Sequence, residues 1–426
     1  MRQVRTAVSA LALTIAAATL TAPGAAAVTS NAKTAAADAA VPVLPSEVRD
    51  YTWFNSKPKA GDEGKMHDGV VQHVARLIDA ASPGATLSLT LYKFNRDEIV
   101  KALQRAAARK VVVRIVVDGD TVGNGWHQAL KAIPSVTLVE CDKRVSGASP
   151  TRGCMSNRIE TKTLTERPVS HNKFMTVSSV QLVGGGTAKN VLYVSSANLD
   201  FYPAYESALT ISHAGLYEKY FKYFNDLMRY GSSGEVNNNY GKDIKAGAHR
   251  LYTFPRKEAG RRSNPTSASN DPIVEILKNT TCAPSRRTEI SLANFRIQRQ
   301  AVVNELIAAR KRGCRVRAVT GVGTLKAVKA LARAMPVRIC DGTVHMHEKF
   351  MLIRRGSETT VYAGSHNLTY RALRQNDENI LALRNHAIYG PYDQRFNYLH
   401  NIVCKPLKPS SNVAPTMTVN DDEDTA

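Results

Sequence analysis

The feature that most constrains the fold of this 426-residue chain is an internal duplication, because two halves run through the same predicted elements in the same order. The first half opens with the segment 51–54 (YTWF) and the second with 251–254 (LYTF). An amphipathic helix follows in each half, predicted over 67–80 and 271–278 from the spacing of apolar residues. The chain is long enough for two cores of ordinary size. We therefore expect two similar halves.

The elements that follow predict an α/β fold class for each half. A strand, a helix and a Val-rich strand succeed one another at 86–92, 96–109 and 111–117, and again at 288–295, 299–311 and 314–319. This order is typical of a βαβ unit with two parallel strands. A strand pair and a closing helix, 216–230 or 392–402, complete each half. We expect two similar α/β halves related by a pseudo-two-fold axis with the active site between them; two independent domains side by side are the alternative.

The N-terminal segment has the pattern of a secretory signal peptide. Basic Arg2 and Arg5 precede an apolar stretch over 7–21 and small residues at 25–27. An N-terminal anchor helix is the alternative, but the apolar stretch is short, and no later segment is apolar enough to span a bilayer. We expect a secreted, extracellular protein. The expected domains are a signal peptide 1–27, a flexible lead-in 28–47, a first repeat 48–230, a linker 231–247, a second repeat 248–405 and a disordered acidic tail 406–426.

The six cysteines of an exported chain are expected to be oxidised. Cys141 and Cys154 flank a short loop and form the candidate disulfide. The other four allow three pairings, among which the sequence does not choose: Cys282, Cys314, Cys340 and Cys404. No CxxC pair and no Cys/His cluster has the spacing of a zinc site. No metal and no cofactor is predicted.

The chain carries a formal net charge of +21, far more than solubility alone requires. Such a charge favours polyanions or anionic membrane surfaces as partners. It does not separate nucleic acid from lipid headgroups.

The duplication also repeats a set of polar side chains. His171 with Lys173, and His347 with Lys349, form two HxK motifs, each followed by Phe-Met in a strand-like context where alternate side chains share one face. A Ser-x-Asn and then a glutamate follow in both halves: Ser196, Asn198 and Glu206 in the first, Ser365, Asn367 and Glu378 in the second. A single HxK is a weak signal, whereas this repeated order indicates a composite site. Both motifs lie in one chain, so no second subunit is required and we expect a monomer.

This set suits displacement at a phosphodiester. Cations and neutral donors from both halves can hold the phosphate oxygens: Lys173, Lys349, Ser196, Asn198, Ser365 and Asn367. One imidazole can attack phosphorus to give a phosphohistidine, while the other protonates the leaving alcohol and later deprotonates water. Glu206 and Glu378 are the candidates to hold the second nitrogen of each ring.

These residues resemble the motifs of the phospholipase D superfamily, HxKxxxxD followed by GSxN once per half, from about Tyr51 to Ile402. The resemblance implies two α/β halves around a central cleft, a covalent phosphohistidine, and phosphodiester hydrolysis or transfer to another alcohol. By analogy His171 is the nucleophile and His347 the acid. The chain departs from the pattern at Ser178 and Arg354, where the family has Asp, and at Ser195, where it has Gly.

Three functions are compatible with the sequence. The first is a secreted phospholipase D that hydrolyses phosphatidylcholine-like lipids to phosphatidate. The second is a metal-independent nuclease of the same superfamily, which Tyr202 and Tyr205 would serve by stacking on bases. The third is a non-catalytic phosphate-binding pseudoenzyme, which Arg354 leaves open. An insertion between Cys141 and His171 carries basic residues that could contact phosphate of either kind: Arg144, Arg152, Arg158, Lys162 and Arg167.

Overall fold

The structure, a computed structural model, describes residues 39–141, 152–158, 168–258, 267–282, 287–323 and 325–408. The predicted signal peptide lies outside these ranges, as do Arg144, Lys162, Arg167 and residues 409–426 of the predicted tail. The strands of the first half are β1 (Asp50–Phe54), β2 (Thr86–Leu91), β3 (Val112–Val117), β4 (Thr137–Glu140), β5 (Phe174–Gln181), β6 (Thr187–Ser195), β7 (Ala204–Tyr205) and β8 (Ser207–Ser212). Its helices are α1 (Ser46–Arg49), α2 (Asp68–Asp79), α3 (Asp97–Ala108), α4 (Gly125–Lys131) and α5 (Ala214–Ser233).

The second half repeats this series of elements. Its strands are β9 (Asp243–Ala246), β10 (His249–Thr253), β11 (Thr288–Asn294), β12 (Arg315–Thr320), β13 (Val337–Ile339), β14 (His345–Met346), β15 (Lys349–Arg355), β16 (Glu358–Gly364), β17 (Asn379–Arg384) and β18 (Lys405–Pro406). Its helices are α6 (Pro272–Lys278), α7 (Gln300–Lys311), α8 (Lys326–Ala334), α9 (Tyr370–Arg374) and α10 (Tyr389–Tyr398). A 3₁₀ turn, Glu63–Lys65, precedes α2, and a π-helical turn, Leu399–Val403, extends α10.

The strand order confirms the duplication. The first sheet runs β1-β8-β6-β5-β2-β3-β4, and the second contains the equivalent order β10-β17-β16-β15-β11-β12-β13, with β9 and β18 added at its two edges. The predicted βαβ units are present, because β2 pairs with β3 in parallel and β11 with β12. The registers also agree, since Phe174 lies opposite Val194 in the first sheet and Phe350 opposite Ala363 in the second.

Three apolar clusters arrange these elements in layers. One cluster packs α2, α3 and α4 on the first sheet, and another packs α6, α7 and α8 on the second. The third joins the facing sides of both sheets through α5 and α10, including buried Tyr220 and Phe224 from α5 and Tyr392 and Phe396 from α10. The closing helices of the two repeats therefore form a shared central layer. The two halves pack together through one core and are not independent domains side by side.

Local sequence explains where key helices begin and end. Asp271 caps α6, because its Oδ1 accepts the backbone N–H groups of Ile273 and Val274 at 3.0 and 3.3 Å, and Pro272 occupies the first helical turn. His213 caps α5 by accepting the N–H of Leu216 through Nδ1. Gly234 ends α5 with a φ of 76°, a conformation that favours glycine.

The structure differs from the predicted boundaries at three places. Residues 39–47 of the predicted flexible lead-in pack against the first half, where the N–H of Val43 donates to the carbonyl of Gln181 and the side chain is buried. The predicted linker 231–247 contains the last turn of α5 and the whole of β9. Strand β18 and buried Leu407 reach into the predicted tail. Strands β9 and β18 add to the edges of the second sheet, and Val43 forms a bridge beside the end of β5. Composition does not indicate these pairings.

Three disulfides connect all six cysteines: Cys141–Cys154, Cys282–Cys314 and Cys340–Cys404. In the second half, where the sequence left three pairings open, each cysteine is therefore bonded to its neighbour in sequence order. Within the described ranges, no helix is both long and apolar enough to cross a membrane.

Candidate active site

The two HxK motifs lie at the start of equivalent strands rather than inside them. His171 precedes Phe174, the first residue of β5, and Lys349 is the first residue of β15. Each histidine leaves its own sheet to pair with the other half, because the N–H of His171 donates to the carbonyl of Asp377 and that of His347 to the carbonyl of Tyr205, at 3.0 and 2.9 Å. The prediction of a simple strand was wrong for the histidines, since these backbone contacts between the halves replace the ladder there.

The histidines and glutamates pair reciprocally across the two halves. Nδ1 of His171, from the first half, lies 2.8 Å from Oε1 of Glu378, from the second. Nδ1 of His347, from the second half, contacts Oε1 of Glu206, from the first. All four side chains are at most 1% exposed. This exchange is the relationship that a pseudo-two-fold axis between the halves produces, and it makes a single composite site.

Each glutamate is also held by the Ser-x-Asn motif of its own half. Ser196 donates its hydroxyl to Oε2 of Glu206, and Ser365 donates to Oε2 of Glu378 at 2.5 Å. In each glutamate, one carboxylate oxygen therefore accepts a hydrogen bond from the serine and the other oxygen faces the histidine. The serines hold the glutamates in this structure, and the phosphate-binding role expected for them stays a prediction.

The electrostatics around Glu206 favour charge separation. Burial by itself raises the pKa of a carboxyl, but His347 and Lys349 outweigh burial and lower the pKa of Glu206 to about 2. Glu206 is therefore ionised throughout the neutral range. A buried carboxylate beside an imidazole stabilises the protonated imidazolium.

The lysines lie next to the histidines of their own motifs. Nζ of Lys349 donates to the carbonyl of His347 at 2.6 Å and lies 3.0 and 3.1 Å from the two ring nitrogens. Nζ of Lys173 donates to the carbonyl of His171 at 3.1 Å and stands 4.9 Å from the ring centre of Tyr92. Both lysines are buried, and each donates to the backbone carbonyl of the histidine in its own motif.

The asparagines of the Ser-x-Asn motifs are buried as well. Asn198 donates through Nδ2 to Asp200 at 3.2 Å, and Asp200 also faces Nδ1 of buried His67 at 3.0 Å. Asn367 is 1% exposed. Strands β6 and β16, which end next to these motifs, contact one another across the halves.

Sequence reasoning did not identify the aromatic rings that flank the histidines. Tyr92 packs edge-on to His171 with ring centres 4.9 Å apart, and Phe295 packs on His347 at 4.6 Å. Both residues are the last of equivalent predicted strands, 86–92 and 288–295. Aligning these two strands would have shown an aromatic residue at the same position in each half. Tyr202, proposed for base stacking, hydrogen bonds to His345 and packs edge-on to His347, whereas Tyr205 is buried.

The middle residue of each HxK motif anchors the motif to a closing helix. Asn172 donates to the hydroxyl of Tyr223 on α5 at 3.0 Å. Glu348 pairs with Arg395 on α10 at 2.6 Å, and both are buried. Burial raises the pKa of Glu348, and Arg395 opposes this shift. The central helical layer therefore supports both motifs.

The two positions where the family pattern has Asp lie away from the histidines. Ser178 accepts the N–H of Thr86 at 2.9 Å on the first sheet. Arg354 lies five residues along β15 from Lys349, and its partners are Asp393 at 3.1 Å and Tyr389 at 3.4 Å. Five residues of strand span roughly 17 Å. The substitution by arginine is thus accommodated by partners on α10.

In the described part of the insertion, two arginine side chains hydrogen bond to backbone carbonyls of the protein. Arg152 is 3% exposed and donates to the carbonyls of Tyr230 and Gly234 at 2.7 and 2.6 Å. Arg158 donates to the carbonyls of Asn238 and Arg374 at 2.6 and 2.9 Å. These two arginines, expected as possible phosphate contacts, instead join the insertion to the segment after α5 and to the second half.

The described ranges contain no group of three or more His, Cys, Asp or Glu side chains arranged to hold a metal ion. The candidate site contains two imidazoles, two carboxylates and two ammonium groups, all buried. This set can provide a nucleophile, a proton donor and cationic contacts for an anionic oxygen.

Comparison with known proteins identifies the family of the chain. The family model described as cardiolipin synthase, PLD-like domain, matches residues 74–228 and 279–400. The chain therefore belongs to the phospholipase D-like family, which confirms the resemblance of its motifs. Members of this family are phosphodiesterases or phosphotransferases, so the protein is in general terms a phosphoryl-transfer enzyme.

Two solved structures share the fold over most of the chain. The phosphatidylserine synthase of Haemophilus influenzae Rd KW20 matches with a TM-score of 0.53 and 13% identity, over 80% of this chain and 85% of its own. The polyphosphate kinase of Porphyromonas gingivalis matches with a TM-score of 0.51 and 14% identity over 82% of this chain, which spans only 50% of the kinase. At such identities the likeness is one of fold. No curated protein sequence matches the chain.

Proposed function

We propose that the protein is a secreted phospholipase D-like phosphodiesterase that hydrolyses the headgroup phosphodiester of phospholipids such as phosphatidylcholine. The observation that carries the proposal is the reciprocal pairing of His171 with Glu378 and of His347 with Glu206. In each pair Nδ1 of the imidazole faces a carboxylate, an arrangement that fixes the ring tautomer and makes Nε2 the reacting nitrogen in this proposal.

His171 is the nucleophile in this scheme. Its Nε2 attacks phosphorus, the bond from phosphorus to the headgroup oxygen breaks, and His347 donates its proton to that oxygen. A phosphatidyl group bound to His171 and a free alcohol result. His347, now neutral, takes a proton from water, the resulting hydroxide attacks phosphorus, and the phosphorus–nitrogen bond breaks to give phosphatidate. Both histidines return to their starting states.

The carboxylate beside His347 supports its role as the acid, because it offsets the repulsion between a protonated ring and the ammonium group of Lys349. The low pKa of Glu206 keeps a carboxylate next to His347, and this favours an imidazolium that can donate a proton. Lys173 and Lys349 are the proposed phosphate contacts, with the amides of Asn198 and Asn367. Ammonium groups in a buried site stabilise the charge that develops on the phosphoryl oxygens.

Three observations support a lipid substrate and a location outside the cell. The description of the matching family model names a lipid synthase, and the fold is shared with a phosphatidylserine synthase. Three disulfides suit an oxidising compartment. The strongly positive chain keeps a nuclease as the second candidate, since a polyanion would be attracted equally well.

The test uses the purified mature protein in EDTA with phosphatidylcholine vesicles and, separately, with DNA. Phosphatidate release that is lost in both His171→Ala and His347→Ala supports the proposal. DNA cleavage with no lipid turnover makes the protein a nuclease, and turnover of neither substrate with retained phosphate binding makes it a pseudoenzyme.

A second assay separates the two histidines. Bis(p-nitrophenyl) phosphate has a leaving group that needs no proton, so His347→Ala should still release the first p-nitrophenolate and retain a covalent phosphoenzyme. His171→Ala should do neither. The reverse result would exchange the two roles.

A further inference from the structure

Asp377 lies where the HxK segment of the first half meets the glutamate of the second. Its carbonyl accepts the N–H of His171 at 3.0 Å, and its own N–H donates to the carbonyl of Val169 at 2.9 Å. Glu378, the next residue in the chain, faces the imidazole of the same histidine. Asp377 is fully buried. The backbone of Asp377 therefore sets the spacing between His171 and Glu378.

The side chain of Asp377 is held by the insertion. Its Oδ2 accepts the N–H of Cys154 at 2.6 Å, and the N–H of Met155 lies 3.3 Å from both carboxyl oxygens. Cys154 is bonded to Cys141, which directly follows β4. A Cβ at Gly153 would lie only 2.7 Å from Oδ2 of Asp377, so the segment approaches the carboxyl as closely as a glycine allows.

The equivalent position of the first half lacks this arrangement. Tyr205 precedes Glu206, and its carbonyl accepts the N–H of His347 as that of Asp377 does for His171. Its side chain carries a phenol instead of a carboxyl, and the sequence from Cys340 to His347 is too short to contain an insertion. The two histidines thus have matching backbone contacts but different supports.

We propose that Asp377 is a positioning residue through which the disulfide-bonded segment 152–158 fixes Glu378 and, through Glu378, the imidazole of His171. The inference rests on the proposed function, in which His171 attacks phosphorus. A nucleophile must be held near its line of attack, and a displacement of 1 Å can lower the rate about 10²-fold. Asp377 needs no contact with substrate to have such an effect.

The protonation state of Asp377 indicates the matched variant. Burial raises the pKa of Asp377 to about 8, against the two backbone donors, which lower it. The charged and titratable groups that face it are Asp118, Arg152, Tyr223 and Tyr240. At pH 7 its carboxyl is mainly neutral, so an asparagine amide has the same shape and charge and can still accept the N–H of Cys154.

The experiment compares Asp377→Ala and Asp377→Asn in turnover of bis(p-nitrophenyl) phosphate at pH 7. We expect kcat to fall between about 10- and 100-fold in Asp377→Ala with little change in KM, and to be largely rescued in Asp377→Asn. A second readout is the ¹⁵N NMR spectrum of the histidine rings, in which the Nδ1–H tautomer of His171 should be fixed in the wild type and averaged in Asp377→Ala.

Disulfide variants provide a control for general loss of stability. Cys141→Ser/Cys154→Ser should lower kcat as Asp377→Ala does, whereas Cys282→Ser/Cys314→Ser should leave it unchanged, although its bond closes the longer loop, 32 residues against 13. Folded Asp377→Ala with unchanged kcat and an unchanged His171 tautomer would overturn the proposal. If the wild type has no activity, the proposed function fails, and the NMR comparison still decides the role of Asp377.

Discussion

Nδ1 of His171 lies 2.8 Å from Oε1 of Glu378, a carboxylate that belongs to the other repeat of the chain. The partner of Glu206 is likewise His347 of the other repeat. Each catalytic candidate is therefore assembled from two distant parts of the sequence, 207 residues apart in the first pair. The chemistry of either histidine depends on the packing of the two halves.

The two glutamates should have different effects on activity. Glu378→Gln should lower kcat by about 10²–10⁴-fold for every phosphodiester, because the amide no longer fixes the tautomer of the attacking His171. Glu206→Gln should be severe for an alkyl headgroup, whereas with bis(p-nitrophenyl) phosphate it should spare release of the first p-nitrophenolate, which needs no proton, and slow hydrolysis of the phosphoenzyme. The check is the rate of first leaving-group release for both variants with a lipid and with bis(p-nitrophenyl) phosphate. Equal losses of that rate on the two substrates for Glu206→Gln would contradict the assignment of His347 as the acid.

Glu206 should also make stability depend on acid pH. Its pKa is lowered from 4.5 to about 2 in the folded protein, where the charges of His347 and Lys349 outweigh burial. The resulting stabilisation is present above pH 4.5 and is lost as the pH falls toward 2. Urea unfolding of the wild type and of Glu206→Gln between pH 3 and 6 measures this. The difference in unfolding free energy between them should narrow as the pH falls; a constant difference would mean that Glu206 does not titrate as stated.

Three histidines form a cluster where β10 meets the first residues of the closing helices. The ring centres of His213 and His249 are 5.1 Å apart, and those of His249 and His386 are 5.8 Å apart. Each Nδ1 accepts a backbone N–H: from Leu216 at 3.1 Å, from Arg384 at 3.2 Å and from Ile388 at 3.4 Å. A protonated ring has no free acceptor at Nδ1, so all three contacts require neutral histidine.

This cluster should destabilise the protein in mild acid. Burial, together with the neighbouring rings, lowers the pKa of His249 and His386 below 6.5, although Asp50 opposes the shift at His386. Because these folded-state values are lowered, stability is full above pH 6.5 and falls as the pH decreases below it. Thermal unfolding at pH 7.5, 6.5 and 5.5 tests this. His249→Gln should reduce the loss between 6.5 and 5.5, and a loss of the same size as in the wild type would remove the cluster as its cause.

The buried pair of Glu348 and Arg395 should be essential for stability. Arg395→Ala should cost about 3–5 kcal/mol in unfolding free energy, because it leaves a carboxylate buried without its charge partner. Replacing both residues with apolar side chains should recover much of that loss. Arg384→Ala is the control, since its pair with Glu358 is exposed and should be worth less than about 1 kcal/mol. Similar losses for the two single variants in urea unfolding would contradict this ranking.

Much of the fold could be predicted from the sequence because the duplication supplies two versions of each pattern. The helix predicted over 96–109 spans Asp97–Ala108, and the strand over 86–92 spans Thr86–Leu91. Apolar spacing determines such elements locally. The edges of the second sheet were not predicted: β18 pairs with β13, which lies far earlier in the chain, and β9 forms a short hairpin with β10 inside a segment that was predicted to be a linker.

The site residues could be named from the sequence, but their partners could not. Order along the chain places Glu206 near His171 and Glu378 near His347, whereas the folded protein pairs them the other way. The pairing of each histidine with the glutamate of the other half depends on how the two folded halves pack together. That packing is determined by the surfaces of the halves. Asp377 was not identified for a related reason, because its importance comes from contact with Cys154, 223 residues away.

The reciprocal pairing also bears on how a duplicated gene can change after its two copies are fused. A substitution at Glu378 is felt by His171, which the other copy encodes, and a substitution at Glu206 is felt by His347. A glutamate lost from either copy would leave the histidine of the other copy without its carboxylate. The residues around this shared set differ between the copies. The first copy carries an insertion that contacts Asp377 of the second, whereas the second copy has no insertion to contact Tyr205 of the first.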